Sequence, residues 1–183
     1  MLVGGLLFYT RRPIISEVAR GRIMESELFD LAEQLGRLLK TSGKTIATAE
    51  SCSGGWIAQT ITDVAGSSAW FDRGFVTYTN AAKVQMLGVS QQTLEKYGAV
   101  SAETATEMAM GALAHSDADI AIAVTGIAGP DGGTSEKPVG TVFIAWADKN
   151  GETNVVKKQF YGNRRQIREK TVKSAIEVMV SLF

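Results

Sequence analysis

The sequence predicts an α/β fold, a three-layer α/β/α sandwich with a mixed, largely parallel sheet. Segments of helical periodicity alternate with short apolar or β-branched runs along the 183 residues, the pattern that lays helices on both faces of one sheet. The run Ile120-Ala121-Ile122-Ala123-Val124 is apolar throughout, as a strand covered on both faces requires. Two strand-like runs also pass directly into glycine-rich turns, AESCSGG and TGIAGPDGG. Open α/β sheets place their sites at such carboxyl ends of strands.

Leu28, Leu31, Leu35, Leu38 and Leu39 recur at helical spacing with Gly43 as a stop, which predicts an amphipathic helix over 25–41. A strand at Thr45–Ala49 and a helix starting near Gly54 follow. Ala65-Gly66-Ser67-Ser68 ends that helix, and Phe71–Thr79 has the aromatic and β-branched content of a second strand. Short helices are expected over 81–87 and 91–97, on either side of Gly88. From Ser101, a good N-cap, the positions Ala105, Met108, Ala109, Ala112 and Leu113 mark a longer helix. After the 120–124 strand and its glycine-rich turn, Val139–Ala147 and about Asn154–Phe160 read as strands, a hairpin that makes the sheet mixed. The last helix, about 164–182, has Val172, Ala175, Ile176, Met179 and Val180 on one face and Asn163 as its N-cap. Residues 1–23 read as a poorly ordered N-terminal extension with Met24 an alternative start, which leaves a single domain over 24–183.

Nineteen lysines and arginines balance nineteen aspartates and glutamates, so no global field draws the chain to nucleic acid or an anionic membrane, and anion recognition must be local. One cysteine, Cys52, and one histidine, His115, exclude an internal disulfide and a recognisable zinc cluster. The expectation is a cytoplasmic protein with no metal and no cofactor; a homo-oligomer is left open. No apolar run reaches the roughly 20 residues that span a bilayer. The opening MLVGGLLFYTRRP places its apolar patch before its arginines, the reverse of a signal peptide. Neither glycine segment reads GxGxxG or GxxxxGK followed by Ser or Thr, and Tyr78-x4-Lys83 does not match the Tyr-x3-Lys pair of short-chain dehydrogenases. A standard dinucleotide fold and a P-loop NTPase are thereby disfavoured.

Three segments at strand ends attract attention: Glu50–Gly55, Tyr78–Lys83 and Thr125–Gly133. A strand, a turn of small residues and a helix start put backbone N–H groups and short hydroxyls where negative charge is stabilised. Ser51 is the candidate nucleophile, with Gly54 and Gly55 leaving room for substrate against the backbone; the alternative is that Ser51 or Ser53 only caps the helix. His115 lies at the opposite end of its strand from Thr125, which disfavours a Ser-His-Asp triad. Lysine can be the base when desolvation lowers its pKa, and Lys83 follows Tyr78, which could orient it or relay a proton. Singly, Tyr78 could anchor a strand end, Asn80 cap a helix, and Lys83 be a solvated lysine. Arg164 and Arg168, four apart at the start of the last helix, suit a phosphate, or form a solvated basic turn paired with Glu169.

AESCSGG, AGSSAWFDRGFVTYTNAAK, GAVS at Gly98–Ser101, and VTGIAGPDGG followed by KPVGTV together resemble the C-terminal domain of the CinA family, particularly its stand-alone form, nicotinamide-nucleotide amidase. The resemblance runs from about residue 24 to the end. It implies hydrolysis of nicotinamide mononucleotide to nicotinate mononucleotide and ammonia in pyridine nucleotide salvage. It implies that Ser51, Tyr78 and Lys83 are the catalytic group and that Thr125 and Arg164 contact substrate. Ser53 stands where many members have threonine, a change that keeps the hydroxyl. Larger members carry an N-terminal domain resembling molybdopterin-binding proteins and linked to ADP-ribose hydrolysis; it has no counterpart here, so no pyrophosphatase activity is expected.

The resulting expectation is a Ser-Lys amide hydrolase. Ser51 attacks the carboxamide, Lys83 takes the proton, Tyr78 positions Lys83, and N–H groups near Cys52, Ser53, Gly54 and Gly55 receive the oxyanion. Asn80, Thr125, Gly126 and Gly129 are expected to contact the nucleotide, and Arg164 with Arg168 its phosphate. Two rivals stand beside it. One is a non-catalytic nucleotide-binding or oligomerisation module; the other is a phosphohydrolase whose metal would need Glu50, Asp72 and Asp131.

Overall fold

The computed structural model describes the backbone of residues 17–183 and side chains from residue 26. Its strands are Ile46–Glu50 (β1), Phe71–Val76 (β2), Ile120–Gly126 (β3), Thr141–Asp148 (β4) and Thr153–Gln159 (β5). They form one sheet in the order β2-β1-β3-β4-β5. The helices are Glu17–Ser42 (α1), Trp56–Thr62 (α2), Asn80–Leu87 (α3), Gln91–Tyr97 (α4), Ala102–Ala114 (α5) and Arg164–Val180 (α6).

Alternation along the strands builds both cores. Ile46, Ile120, Ile122, Val124, Val142 and Ile144 face one side, where they pack with Leu28, Leu35 and Leu39 of α1, Ile57 and Ile61 of α2, and Val172, Ile176 and Met179 of α6. The intervening Ala47, Ala49, Ala121, Ala123, Ala145 and Ala147 face the other, against Ala105, Met108, Ala109 and Ala112 of α5. Small residues on that side let α5 lie close to the sheet. The three-layer sandwich follows from this segregation.

β1 pairs in parallel with β2 and β3, whereas β3–β4 and β4–β5 are antiparallel. The sheet is mixed, as expected, but its antiparallel part reaches one strand beyond the final hairpin. The link from 127 to 140 contains no helix, and a parallel return needs a crossover. Helix α1 begins at Glu17 rather than 25; between Glu17 and Met24 there is no proline and a single glycine, so nothing in the sequence stops the helix there. The rest of the expected N-terminal extension, residues 1–16, lies outside the described residues. β2 ends at Val76, because Thr79 caps α3, accepting from the Ala82 N–H at 3.1 Å. The Ser101 cap of α5 and a full capping box of Asn163 with Gln166 on α6 are both present. Among the described residues, no helix is long and apolar enough to cross a membrane.

Candidate active site

The turn after β1 is built around a buried carboxylate. Glu50 accepts from the Ser53 hydroxyl at 2.7 Å and from the N–H groups of Gly55 (3.0 Å), Ile57 (3.0 Å) and Ala58 (2.8 Å). It satisfies the orphan donors at the start of α2. Neither Ser51 nor Ser53 caps that helix, so this alternative is set aside. Sequence reasoning weighed Glu50 only as a metal ligand; its signal was a carboxylate one residue before the small-residue turn. Gly54 and Gly55 both take positive φ, 64° and 93°, which lets the chain reverse tightly enough to bring these amides onto one side chain.

Ser51 is thereby left free of capping. Its N–H donates to the Val124 carbonyl of β3 at 3.0 Å, and its hydroxyl lies 3.0 Å from Lys83 Nζ. Lys83 is 1% exposed. Its amine also donates to the carbonyls of Thr77 at 2.8 Å and Tyr78 at 3.4 Å. Burial pushes its pKa down to about 8, because no carboxylate touches it to offset desolvation. In the neutral amine, two hydrogens satisfy the two carbonyls and the lone pair faces the Ser51 hydroxyl. The neighbouring Cys52 thiol is pushed up to about 12 by burial, so it stays protonated and weakly nucleophilic.

Ser51, Cys52, Tyr78, Lys83, Ala99, Val100, Thr125, Gly126, Ala128 and Arg164 line a cavity of about 180 Å³. Three strand ends meet there, as the sequence led one to expect. Thr125 is buried and donates its hydroxyl to the Ala99 carbonyl at 2.7 Å, pinning the Gly98–Ser101 segment as a wall that sequence reasoning had given no role. Gly126 lines the cavity with backbone alone, and an added Cβ there would come within 2.7 Å of the Thr141 carbonyl of β4. Beyond Arg164 opens a groove of about 910 Å³ containing Gly54, Gly55, Trp56, Gln59, Asp63 and three arginines, Arg164, Arg165 and Arg168.

Several expected contacts are placed differently. The Tyr78 phenol does not reach Lys83; it accepts from Arg164 Nη2 at 2.8 Å, and of Tyr78 it is the carbonyl, at 3.4 Å, that meets the amine. Ser53 is fully buried, with its hydroxyl turned into Glu50, and offers no side chain to a ligand. Asn80 is the first residue of α3 and lines a separate cavity with Ala81, Val84, Gln85, Gln91, Leu94 and Glu95. Gly55 has its N–H committed to Glu50, and the Gly54 N–H donates to the Ser51 carbonyl at 3.1 Å. Of the amides expected to receive an oxyanion, those of Cys52 and Ser53 have no acceptor among the described residues. Gly129 presents its carbonyl to Arg164 Nη1 at 2.7 Å, so that carbonyl anchors the arginine. Arg168 donates to the Cys52 and Ser53 carbonyls at 3.1 and 2.7 Å, which holds its guanidinium against the turn. His115 ends α5, its Nδ1 2.8 Å from the Gly111 carbonyl. Of the carboxylates weighed for a metal, Glu50 is enclosed by donors, Asp72 pairs with Arg73 at 2.7 Å, and Asp131 sits in an exposed loop.

Residues 28–183 match the family model described as the CinA C-terminal domain. The chain belongs to the CinA C-terminal domain family. It is 52% identical over 159 residues to nicotinamide-nucleotide amidohydrolase PncC of Escherichia coli K12, covering 87% of this chain and 96% of the relative. It is 56% identical over 144 residues to the PncC of Enterobacter agglomerans, covering 79% and 88%. Among solved structures, the competence/damage inducible protein CihA of Agrobacterium tumefaciens superposes with a TM-score of 0.82 at 49% identity, covering 85% of this CinA-domain chain and 95% of the other.

Proposed function

We propose that this CinA-domain protein is a nicotinamide-nucleotide amidohydrolase, converting nicotinamide mononucleotide and water to nicotinate mononucleotide and ammonia. The family and the names of relatives at 52% and 56% identity support the substrate. The observation that carries the chemistry is the buried Lys83 amine 3.0 Å from the Ser51 hydroxyl, beside a cavity. A lysine held near neutrality and aimed at a serine is an activated nucleophile.

Neutral Lys83 takes the Ser51 proton as Oγ bonds to the carboxamide carbon. The carbonyl π electrons move to oxygen, which the Cys52 and Ser53 amides face. Collapse of this adduct breaks the C–N bond, and protonated Lys83 returns its proton to the leaving nitrogen, giving ammonia and a nicotinoyl ester on Ser51. Water, deprotonated by Lys83, then cleaves the ester and Ser51 regains its proton. The cavity, about 180 Å³, is smaller than the roughly 300–1,000 Å³ of whole-ligand sites. It suits the pyridine ring and carboxamide, with the ribose phosphate emerging past Arg164 into the groove.

The test is ammonia release from nicotinamide mononucleotide, with nicotinate mononucleotide as coproduct. Saturable binding without ammonia would favour the nucleotide-binding module instead. Chelator-sensitive release of phosphate would favour a metal phosphohydrolase.

A further inference from the structure

We infer that Arg168 is a positioning residue, turning the Cys52–Ser53 peptide so that the Ser53 N–H faces the oxyanion formed at Ser51. The inference rests on the amidase reading for the identity of the oxyanion. In a trans peptide the C=O and the following N–H point to opposite sides. Arg168 Nε holds the Cys52 carbonyl at 3.1 Å, so the Ser53 N–H points away from the arginine, and it leaves the chain directly after Cys52, which lines the cavity with Ser51. The next peptide gives an internal check. Arg168 Nη2 holds the Ser53 carbonyl at 2.7 Å, and the Gly54 N–H on the opposite side reaches back to the Ser51 carbonyl at 3.1 Å.

The turn is thus gripped from two directions. Glu50 takes the Ser53 hydroxyl and the Gly55 N–H, while Arg168 takes the Cys52 and Ser53 carbonyls. The arginine is itself fixed: buried Ile167 seats this turn of α6 in the core, and the guanidinium lies 5.4 Å from the Trp56 ring centre. An arginine so committed shapes the transition-state site without touching substrate. Its loss should appear in kcat, because an oxyanion donor acts only once charge has developed.

The experiment compares wild type, Arg168→Ala and Arg168→Lys on nicotinamide mononucleotide and nicotinamide riboside, with melting temperature and pH profile recorded. In parallel, the rate at which a fluorophosphonate labels Ser51 is followed by mass spectrometry, since phosphonylation also draws on the oxyanion donors. For Arg168→Ala the expected result is a kcat about 100-fold lower, equal on both substrates, with KM and the ionisation near pH 8 little changed. Labelling of Ser51 should slow with kcat. Arg168→Lys should recover part of both losses, because one ammonium can still hold one carbonyl. A rise in KM confined to the mononucleotide, with kcat kept, would overturn the inference and make Arg168 a phosphate ligand. Unchanged Ser51 labelling in Arg168→Ala would also overturn it, as would a loss of activity that follows melting temperature without recovery by lysine. A wild type that labels at Ser51 yet releases no ammonia from the mononucleotide would overturn the substrate reading alone.

Discussion

Two glycine-rich turns leave the sheet side by side, and they have opposite fates. The turn after β1 is compact, with Ser51, Cys52 and Ser53 all buried, and a carboxylate and a guanidinium account for most of its polar groups. The turn after β3 runs outward, and residues 130–136 are all exposed. It is held by a few backbone bonds, such as Gly140 N–H to the Ile127 carbonyl at 2.7 Å, and by Arg164 on Gly129. Both are rich in glycine. The difference lies in what each turn is fastened to: the first is tied to a buried carboxylate, whereas the second meets water.

If the first turn carries the chemistry, its side chains should be far less forgiving than those of the second. The largest effect is expected at the hydroxyl. Ser51→Ala should lower ammonia release by about three decades or more while melting temperature and nucleotide affinity change little; activity kept in Ser51→Ala but lost in Ser53→Ala would move the nucleophile to Ser53.

Lys83→Arg should be nearly as damaging, because a guanidinium keeps its proton at any working pH. In the wild type kcat/KM should rise with pH through an ionisation near 8, the value to which burial lowers this amine, and level off above it. Lys83 binds its proton less tightly folded than unfolded, so folding stability should also rise between about pH 8 and the free lysine value of roughly 10.4. A flat pH–rate profile from 6 to 10 would remove Lys83 as the base.

Glu50→Ala leaves a buried hydroxyl and three amides without their acceptor. A loss of about 3 kcal/mol in urea unfolding is expected, and activity should fall with it. The opposite result, a stable and active variant, would dissolve the distinction between the two turns.

Arg164 ties the second turn to the segment after β2, touching Gly129 in the one and Tyr78 in the other. Arg164→Ala should raise KM for nicotinamide mononucleotide far more than it lowers kcat, costing about one to two decades in kcat/KM, with little change on nicotinamide riboside. Equal loss on both substrates would make Arg164 a strut. The smallest effect belongs to the exposed turn: Asp131→Ala should shift stability by less than about 0.5 kcal/mol and leave ammonia release unchanged.

Much of this was legible beforehand, for local reasons. Leucine spacing located α1, the all-apolar run 120–124 located β3, and Ser101 and Asn163 stand as caps where a short hydroxyl or amide precedes a helix. The pairing of Ser51 with Lys83 was also open to inference, because both follow strands whose ends share one edge of the sheet. What escaped was long-range. Nothing near residue 168 says that its guanidinium will meet carbonyls 116 and 115 residues away, and nothing near Tyr78 says that its phenol will meet Arg164.

The amino-acid order by itself determined the helices, the strands and the residue types at each strand end, since periodicity, caps and glycine freedom act over a few residues. The tertiary structure alone decided which way each polar side chain turned. Glu50 became the anchor of the turn after β1 and Arg168 its second clamp because burial leaves polar groups no water to fall back on, and partners are then chosen by proximity in the folded chain.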